Sequence, residues 1–232
     1  MHIDNTIAGA IVRSRLIDSV PGTVHGFGVR GVAAAVYLDA MGIGERYLAR
    51  TDQIHGRRVH RLPAAGSEGT LKGDSFITDC PGTVCFVRSA DCVPILIADS
   101  KRGAVAAVHA GWRGTSLDVA GETIRAMGDA FGTDPGDCAA AIGPRICGGC
   151  YEVGVEVIRA FEALAIGDGW RAGPARVDLG KACRLLLERA GVPQRNIAIL
   201  PQCTCCDATF ASWRRDGKKG ERQFSFIISK YF

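Results

Sequence analysis

The segment Ala104-Val-Ala-Ala-Val-His-Ala-Gly-Trp-Arg-Gly-Thr115 joins an apolar run, a glycine-containing turn and the start of a helical pattern. The apolar run ends at His109, and its length predicts a short buried strand. Gly111 and Gly114 mark a tight turn, after which a helix is expected from Thr115. A strand, a loop and a helix in direct succession are typical of α/β folds. The segment therefore predicts an α/β protein with His109 at the end of a strand.

Further strands and helices are predicted on both sides of this segment. Short apolar runs predict strands over residues 83–88, 94–99, 104–109, 196–200 and 223–229. Helical patterns predict helices over residues 115–131 and 179–190, and a third helix after Tyr151. Thr115 and Asp118 have the spacing of a capping box at the start of the first helix, and Gly191 with Pro193 ends the second.

Length and composition favour one domain over residues 1–232, because 232 residues with 47% hydrophobic content can bury one sizeable core. The net charge of +4 is scattered, so it suits small anions and does not indicate nucleic-acid binding.

The first residues, Met1 to Thr6, lack the pattern of a secretory signal, and no apolar run is long enough to span a membrane. Ten cysteines in such a chain favour the reducing cytoplasm over a disulfide scaffold.

His55, Cys92 and His109 are candidate metal ligands, because two imidazoles and a thiolate can hold a catalytic zinc with a fourth position open. Each also has an ordinary structural interpretation. Cys92 is by itself a buried thiol, and His60 competes with His55. Local spacing alone does not decide between these interpretations.

Arg113 follows His109 in a loop that precedes a helix, where free backbone N–H groups and a guanidinium favour an anion such as phosphate. The alternative is an exposed surface charge.

Two cysteine pairs form a competing metal hypothesis. Cys147-Gly-Gly-Cys150 has zinc-knuckle or redox spacing, and Cys203-Thr-Cys-Cys206 offers a second set for a structural zinc. The second set is interpreted as C-x-C and C-C spacing, which weakens the hypothesis. A thioredoxin-type role is less favoured, because no tryptophan-containing redox loop surrounds Cys147 and Cys150.

Several motifs resemble the laccase-domain proteins that are described as purine nucleoside phosphorylases. The resemblance covers the chain from about Val24 to the C-terminus. Its most specific motif is Val-His-Ala-Gly-Trp-Arg-Gly, and the others agree with the family in order and spacing. The matching segments are Gln53-Ile-His-Gly56, Ala90-Asp-Cys-Val-Pro94, Ala107-Val-His-Ala-Gly-Trp-Arg-Gly114, Gly143-Pro-Arg-Ile146, Cys150-Tyr-Glu-Val153, Cys203-Thr204 and Phe210-Ala-Ser-Trp-Arg-Arg-Asp216.

The resemblance implies a single-domain, mixed-sheet α/β sandwich of the laccase-domain type, with zinc held by His55, Cys92 and His109. It also implies phosphorolysis of adenosine, guanosine, inosine and methylthioadenosine to the base and a ribose 1-phosphate, together with deamination of adenosine. Purine nucleosides and phosphate are then the expected partners. The tail reads Gly217-Lys-Lys-Gly-Glu-Arg222 where the family tends to read Thr-Gly-Arg, which leaves the role of Arg222 open.

The remaining site residues are assigned by charge, by loop position and by the matching motifs. Asp91 and Asp74 are candidate proton-transfer groups, and Asp74 is also placed with the substrate-binding residues. The alternative for both carboxylates is that they cap loops. Gln53, Arg113 and Arg145 complete the predicted substrate-binding set.

Three other functions remain open from the sequence. A copper-dependent polyphenol oxidase is disfavoured because four coppers need many imidazoles and the chain has five histidines, although copper can occupy a site with one thiolate and two imidazoles. A non-catalytic zinc or redox binding protein would use its cysteines without turnover. A cysteine hydrolase would need only Cys92 with His109 as its base.

Overall fold

The computed structural model describes residues 11–40, 42, 49–64, 70–217 and 221–230. The segment Met1 to Thr6, on which the expectation about a secretory signal depends, lies outside them. The strands are β1 (Ile11–Val12), β2 (Thr23–Gly28), β3 (Arg50–Asp52), β4 (Val59–Arg61), β5 (Thr70–Lys72), β6 (Ser75–Thr78), β7 (Val84–Ser89), β8 (Val93–Asp99), β9 (Val105–Ala110), β10 (Cys138–Ile142), β11 (Arg171–Gly173), β12 (Arg176–Val177), β13 (Ile197–Ile199) and β14 (Gln223–Ser229). The helices are α1 (Arg15–Asp18), α2 (Ala34–Ala40), α3 (Trp112–Ser116), α4 (Val119–Phe131), α5 (Val155–Glu162), α6 (Leu179–Arg189) and α7 (Trp213–Asp216).

Two main sheets organise the chain. The larger has the order β13-β10-β8-β9-β6-β4, in which the outer pairs β10 with β13 and β4 with β6 are parallel and the inner pairs are antiparallel. The smaller has the order β1-β2-β14-β7 and is antiparallel throughout. Two short pairs, β3 with β5 and β11 with β12, lie outside these sheets.

Neighbouring side chains along the central strands belong to different buried clusters, because successive side chains of a strand point to opposite faces. In β8, Ile95 and Ile97 join one buried cluster, whereas Leu96 joins another. The first cluster lies between the larger sheet and helices α4 and α6, and the second lies between the two sheets. A third cluster packs Tyr37 of α2 on the outer face of the smaller sheet. The expectation of a mixed-sheet α/β sandwich is therefore confirmed. No helix among the described residues is long and apolar enough to cross a membrane.

The predicted elements agree with the structure except at one helix. All five predicted strands and the helix over residues 179–190 occur with small shifts at their ends. The helix predicted over residues 115–131 is wrong as one element, because the chain breaks at Asp118, whose φ of 59° is left-handed. The capping box is wrong for the same reason. Asp118 is itself the N-cap of α4, where its side chain accepts a hydrogen bond from Gly121 N–H. Leu117 consequently stays exposed instead of joining the buried face.

Candidate functional site

The structure brings His55, Cys92 and His109 together from three separated segments. His55 follows β3, Cys92 lies between β7 and β8, and His109 lies near the end of β9. One ring nitrogen of each histidine and the Cys92 sulfur all lie within 4.8 Å of one another. The two imidazole rings meet edge to face, with their centroids 4.9 Å apart. The register of β8 and β9, in which Pro94 pairs with His109, places Cys92 beside the end of β9.

A single buried carboxylate holds two of these three residues. Asp74 precedes β6 and has no exposed surface. Its side chain accepts the backbone N–H of His55 at 2.9 Å and of Gly56 at 2.7 Å. It also lies 2.8 Å from Nδ1 of His109, and its carbonyl accepts the His109 backbone N–H at 2.7 Å. Asp74 thereby sets the left-handed turn at His55, whose φ is 58°, and the orientation of the His109 ring.

The Asp74 contact also determines which ring nitrogen of His109 is available. Burial by itself would raise the pKa of Asp74, but hydrogen bonds from His109 and Gly56 outweigh it and hold that pKa below its usual value. A carboxylate accepts hydrogen bonds, so Nδ1 of His109 donates to it. Nε2 is then the nitrogen that would bind a metal once it loses its proton, which is the arrangement common to metal-binding histidines.

The charges of Cys92 and His109 support each other. Burial alone would raise the pKa of Cys92, but the positive charge of His109 and hydrogen bonds from His109 and His55 lower it to about 6. Burial alone would lower the pKa of His109, but the Cys92 thiolate and Asp74 raise it to about 9. The thiol is therefore poised as a thiolate, which is the form that binds metals.

The space between the ligands is kept open by a glycine. A Cβ atom built on Gly111 would lie 3.0 Å from the Cys92 sulfur and 3.2 Å from Cδ2 of His55. Such contacts are tighter than nearly all real Cβ contacts. The two imidazoles, the thiolate and this space fit a metal ion bound by three protein ligands.

A cavity of about 680 Å³ opens over the three residues. Arg88, Arg113, Arg214 and Arg222 give it positive charge, and Trp112, Tyr151 and Trp213 give it aromatic surface. Its remaining lining residues are Asp52, Gln53, His55, Ser89, Ala90, Asp91, Cys92, His109, Ile146 and Glu221. A volume of this size is typical of sites for small molecules.

Two arginines of the lining lie over aromatic rings of the lining. The Arg113 guanidinium lies over the Trp112 ring at 4.5 Å, and that of Arg214 lies over the Tyr151 ring at 5.5 Å. These contacts orient both charged groups without neutralising them.

Gln53 and Asp91 line the cavity but are already engaged by the protein. The amide of Gln53 exchanges two hydrogen bonds of 2.8 Å with the backbone of Arg88. One oxygen of Asp91 accepts from the Thr204 hydroxyl at 2.7 Å, and the other accepts from the Arg214 backbone N–H at 2.7 Å. Asp91 thus joins the loop of Cys92 to the C-terminal part of the chain.

The structure does not bring Asp74 or Arg145 to the cavity surface. Asp74 lies beneath the histidines. The Arg145 guanidinium is buried and donates to the carbonyl oxygens of Gly143 and Leu200. Sequence reasoning missed Arg88, Arg214 and the three aromatic residues, although Trp213 and Arg214 lie in the closing motif Phe210 to Asp216.

The fold and the cavity together define a mixed-sheet α/β protein in which two imidazoles and a thiolate form a candidate metal centre open to a small-molecule site. The chain belongs to the multi-copper polyphenol oxidoreductase laccase family, whose model matches residues 32–230.

Two named relatives and a solved structure are similar to this chain. The chain is 37% identical over 191 residues to a purine nucleoside phosphorylase of Deinococcus radiodurans, covering 81% of this chain and 72% of the relative. It is 39% identical over 181 residues to adenosine deaminase RL5 of an unknown prokaryotic organism, covering 75% and 69%. The crystal structure of YlmD from Geobacillus stearothermophilus superposes with a TM-score of 0.87 at 26% identity, covering 97% of each chain. The names of these relatives support an enzyme.

Proposed function

We propose that this chain is a zinc-dependent purine nucleoside phosphorylase that also deaminates adenosine. The observation that carries the proposal is the convergence of His55, Cys92 and His109 at a cavity that also holds several arginines and aromatic rings. Zinc at the three ligands would supply Lewis acidity, which polarises oxygen atoms and makes water acidic near neutral pH. The cytoplasm, where thiols stay reduced, is the location that we propose with it.

The protein's own groups have distinct tasks in this proposal. In phosphorolysis, a phosphate oxygen bonds to C1′ of the ribose while the bond from C1′ to the base nitrogen breaks and its electrons remain on the base. Arg113 binds the phosphate, because its forked donors match two oxygens at once. Tyr151 and Trp213 offer apolar ring surface to the purine. In deamination, a water oxygen bonds to C6 of adenosine and ammonia leaves.

The two predicted carboxylates have different places in the proposal. Asp74 fixes His109 and the His55 turn, so it acts by positioning. Asp91 keeps its assignment as a candidate proton-transfer group, and its two hydrogen bonds support a second task in holding the Cys92 loop.

The ligand count favours this function over copper oxidase chemistry. Among the described residues, the cavity offers only two imidazoles, since His25 and His60 lie outside its lining. A centre of several coppers needs more.

The test is to incubate adenosine with zinc-loaded protein, with and without phosphate, and to separate the products by chromatography. Adenine and ribose 1-phosphate are expected only with phosphate, and inosine is expected without it. Both products should disappear in His109→Ala and in Cys92→Ala. His60→Ala is the matched control, because His60 contacts the Lys72 carbonyl away from the cavity. No conversion by the zinc-loaded wild type, or full activity in His109→Ala, would contradict the proposal.

A further inference from the structure

A second cluster of metal-binding side chains lies outside the cavity lining. The sulfur atoms of Cys147, Cys150, Cys203 and Cys206 all lie within 4.8 Å of one another, and those of Cys150 and Cys206 are 3.3 Å apart. The proposed nucleoside chemistry uses none of these residues.

The structure corrects the spacing that the sequence suggested for the second half of this cluster. Cys203 and Cys206 are the converging pair, so both halves have C-x-x-C spacing. Cys205, the intervening cysteine, is not in the group of four. It packs, like Cys150, against the hydrophobic cluster under the helices. Two C-x-x-C pairs are the usual ligand pattern of a structural zinc site.

Backbone hydrogen bonds form each half into a turn. The N–H groups of Cys150 and Tyr151 both donate to the Cys147 carbonyl at 3.0 Å. In the other half, the Asp207 N–H donates to the Cys203 carbonyl at 3.0 Å.

Further contacts hold the two turns against each other. Arg145 forms a parallel bridge with Cys203, and its carbonyl accepts the Thr204 N–H at 2.9 Å. The Cys147 N–H points at the Cys203 sulfur at 3.3 Å. The four sulfur atoms are therefore brought together by the fold and do not depend on flexible side chains alone.

We propose that these four cysteines bind one zinc ion as a closed structural site. Four thiolates about 2.3 Å from a tetrahedral ion lie about 3.8 Å from one another, and the observed spread is compatible with that value. A cluster of several iron atoms would hold its thiolates farther apart. All four cysteines are free thiols in the structure.

The surrounding charges match such a site. Zinc with four thiolates carries two negative charges. Arg145 is 8% exposed, makes no ion pair among the described residues, and has a buried Nε without a hydrogen-bond partner. Arg215, which also pairs with Asp216, places its guanidinium on the Cys203 turn, where it donates to the carbonyl oxygens of Thr204 and Asp207. A buried cation is costly without a nearby negative charge. Asp178 supplies one such charge to Arg145, and zinc thiolates at Cys147 and Cys203 would supply another.

The site would also support one wall of the cavity. Ile146 precedes Cys147 and Tyr151 follows Cys150, and both line the cavity. The Arg214 side chain reaches from the cavity to the Cys150 carbonyl at 3.2 Å. Zinc at the cysteines would therefore fix the position of Tyr151 without contacting the substrate.

The experiment is metal analysis of reduced, zinc-loaded protein by mass spectrometry. The wild type is expected to hold two zinc ions per chain, and both His109→Ala and the double variant Cys147→Ser with Cys206→Ser are expected to hold one. Cys205→Ser is the matched control and should keep two. A cysteine double variant that keeps the wild-type zinc content, or iron in place of zinc, would overturn the proposal.

A second measurement on the wild type covers the case in which the double variant does not fold. Alkylation followed by peptide mass spectrometry should show Cys147, Cys150, Cys203 and Cys206 protected with zinc and labelled after chelation, whereas Cys205 labelling should not change. The proposal would be overturned if the extent of labelling of the four cysteines were the same with zinc and after chelation. Disulfides among the four cysteines under reducing conditions would also overturn it.

Discussion

The two cysteine-containing clusters differ in how many protein ligands they offer and in what surrounds them. The centre of His55, Cys92 and His109 has three candidate ligands, lies at the floor of a cavity and is held by buried Asp74. The second cluster has four thiols on two surface turns. Three ligands leave a position for substrate or water, and four close the coordination shell. We therefore assign the proposed reactive role to the three-ligand group and the proposed structural role to the four-cysteine group, on ligand number and access.

The largest expected effect comes from removing one thiol from each cluster. Cys92→Ser should lower phosphorolysis about 1000-fold, because several kcal/mol of transition-state stabilisation depend on the three-ligand centre. Cys206→Ser should lower it less than about tenfold, since that cluster acts only through the cavity wall. Initial rates at matched protein concentration make the measurement. Equal losses in the two variants would contradict the distinction.

A milder change removes the charge of Asp74, which holds His55 and His109 in place. Asp74→Asn should reduce zinc affinity about 10- to 100-fold, because His109, the proposed ligand, loses the carboxylate that orients it. Competition with a coloured chelator measures the affinity. Asp79→Asn is the control, since Asp79 pairs with Arg61 at the surface. If the affinity of Asp74→Asn equals that of the wild type, the positioning role is wrong.

His25 lies outside both cysteine-containing clusters, and its protonation should lower the stability of the fold at acid pH. Its effect can therefore be measured separately from the loss of metal at acid pH. His25 is fully buried and accepts the Ser14 backbone N–H through Nε2. Burial lowers its pKa from 6.5 to about 4. The unfolded chain therefore takes up the proton first, and stability present above about pH 6.5 is lost as the pH falls towards 4. The free energy of unfolding should drop by about 2 kcal/mol between pH 7 and pH 5 from this group.

Urea denaturation at the two pH values measures this loss. His25→Gln keeps an acceptor for Ser14 without a titrating group, so its drop should be smaller by that amount. His60→Gln should behave as the wild type. An unchanged pH dependence in His25→Gln would show that other groups cause the acid sensitivity.

The smallest expected effect concerns phosphate binding. Arg113→Lys keeps the charge but loses the fork and the contact with Trp112, so the KM for phosphate should rise about tenfold with little change in kcat. Arg102→Lys, an exposed site outside the cavity lining, is the control. An unchanged KM would remove Arg113 from the phosphate site.

The sequence predicted the parts of the molecule in which local pattern and structure coincide. The apolar runs of β8 and β9 gave these strands and the place of His109, because alternation and length suffice for central strands. The break at Asp118 was missed, since a left-handed residue inside a helical pattern leaves no periodic signal. Arg88 and Tyr151 could not be placed at the cavity either, because their meeting depends on the packing of distant segments. The sequence likewise did not show which two of Cys203, Cys205 and Cys206 join the group of four thiols, because this depends on the turn between Cys203 and Cys206.

The most direct test of the open and closed centres is zinc-edge anomalous diffraction from crystals grown with phosphate and a purine nucleoside. We expect one ion bound by His55, Cys92 and His109 with a non-protein oxygen completing its shell. We expect a second ion bound only by the four cysteine sulfurs. A fourth protein ligand at the first ion, or water at the second, would contradict these two assignments.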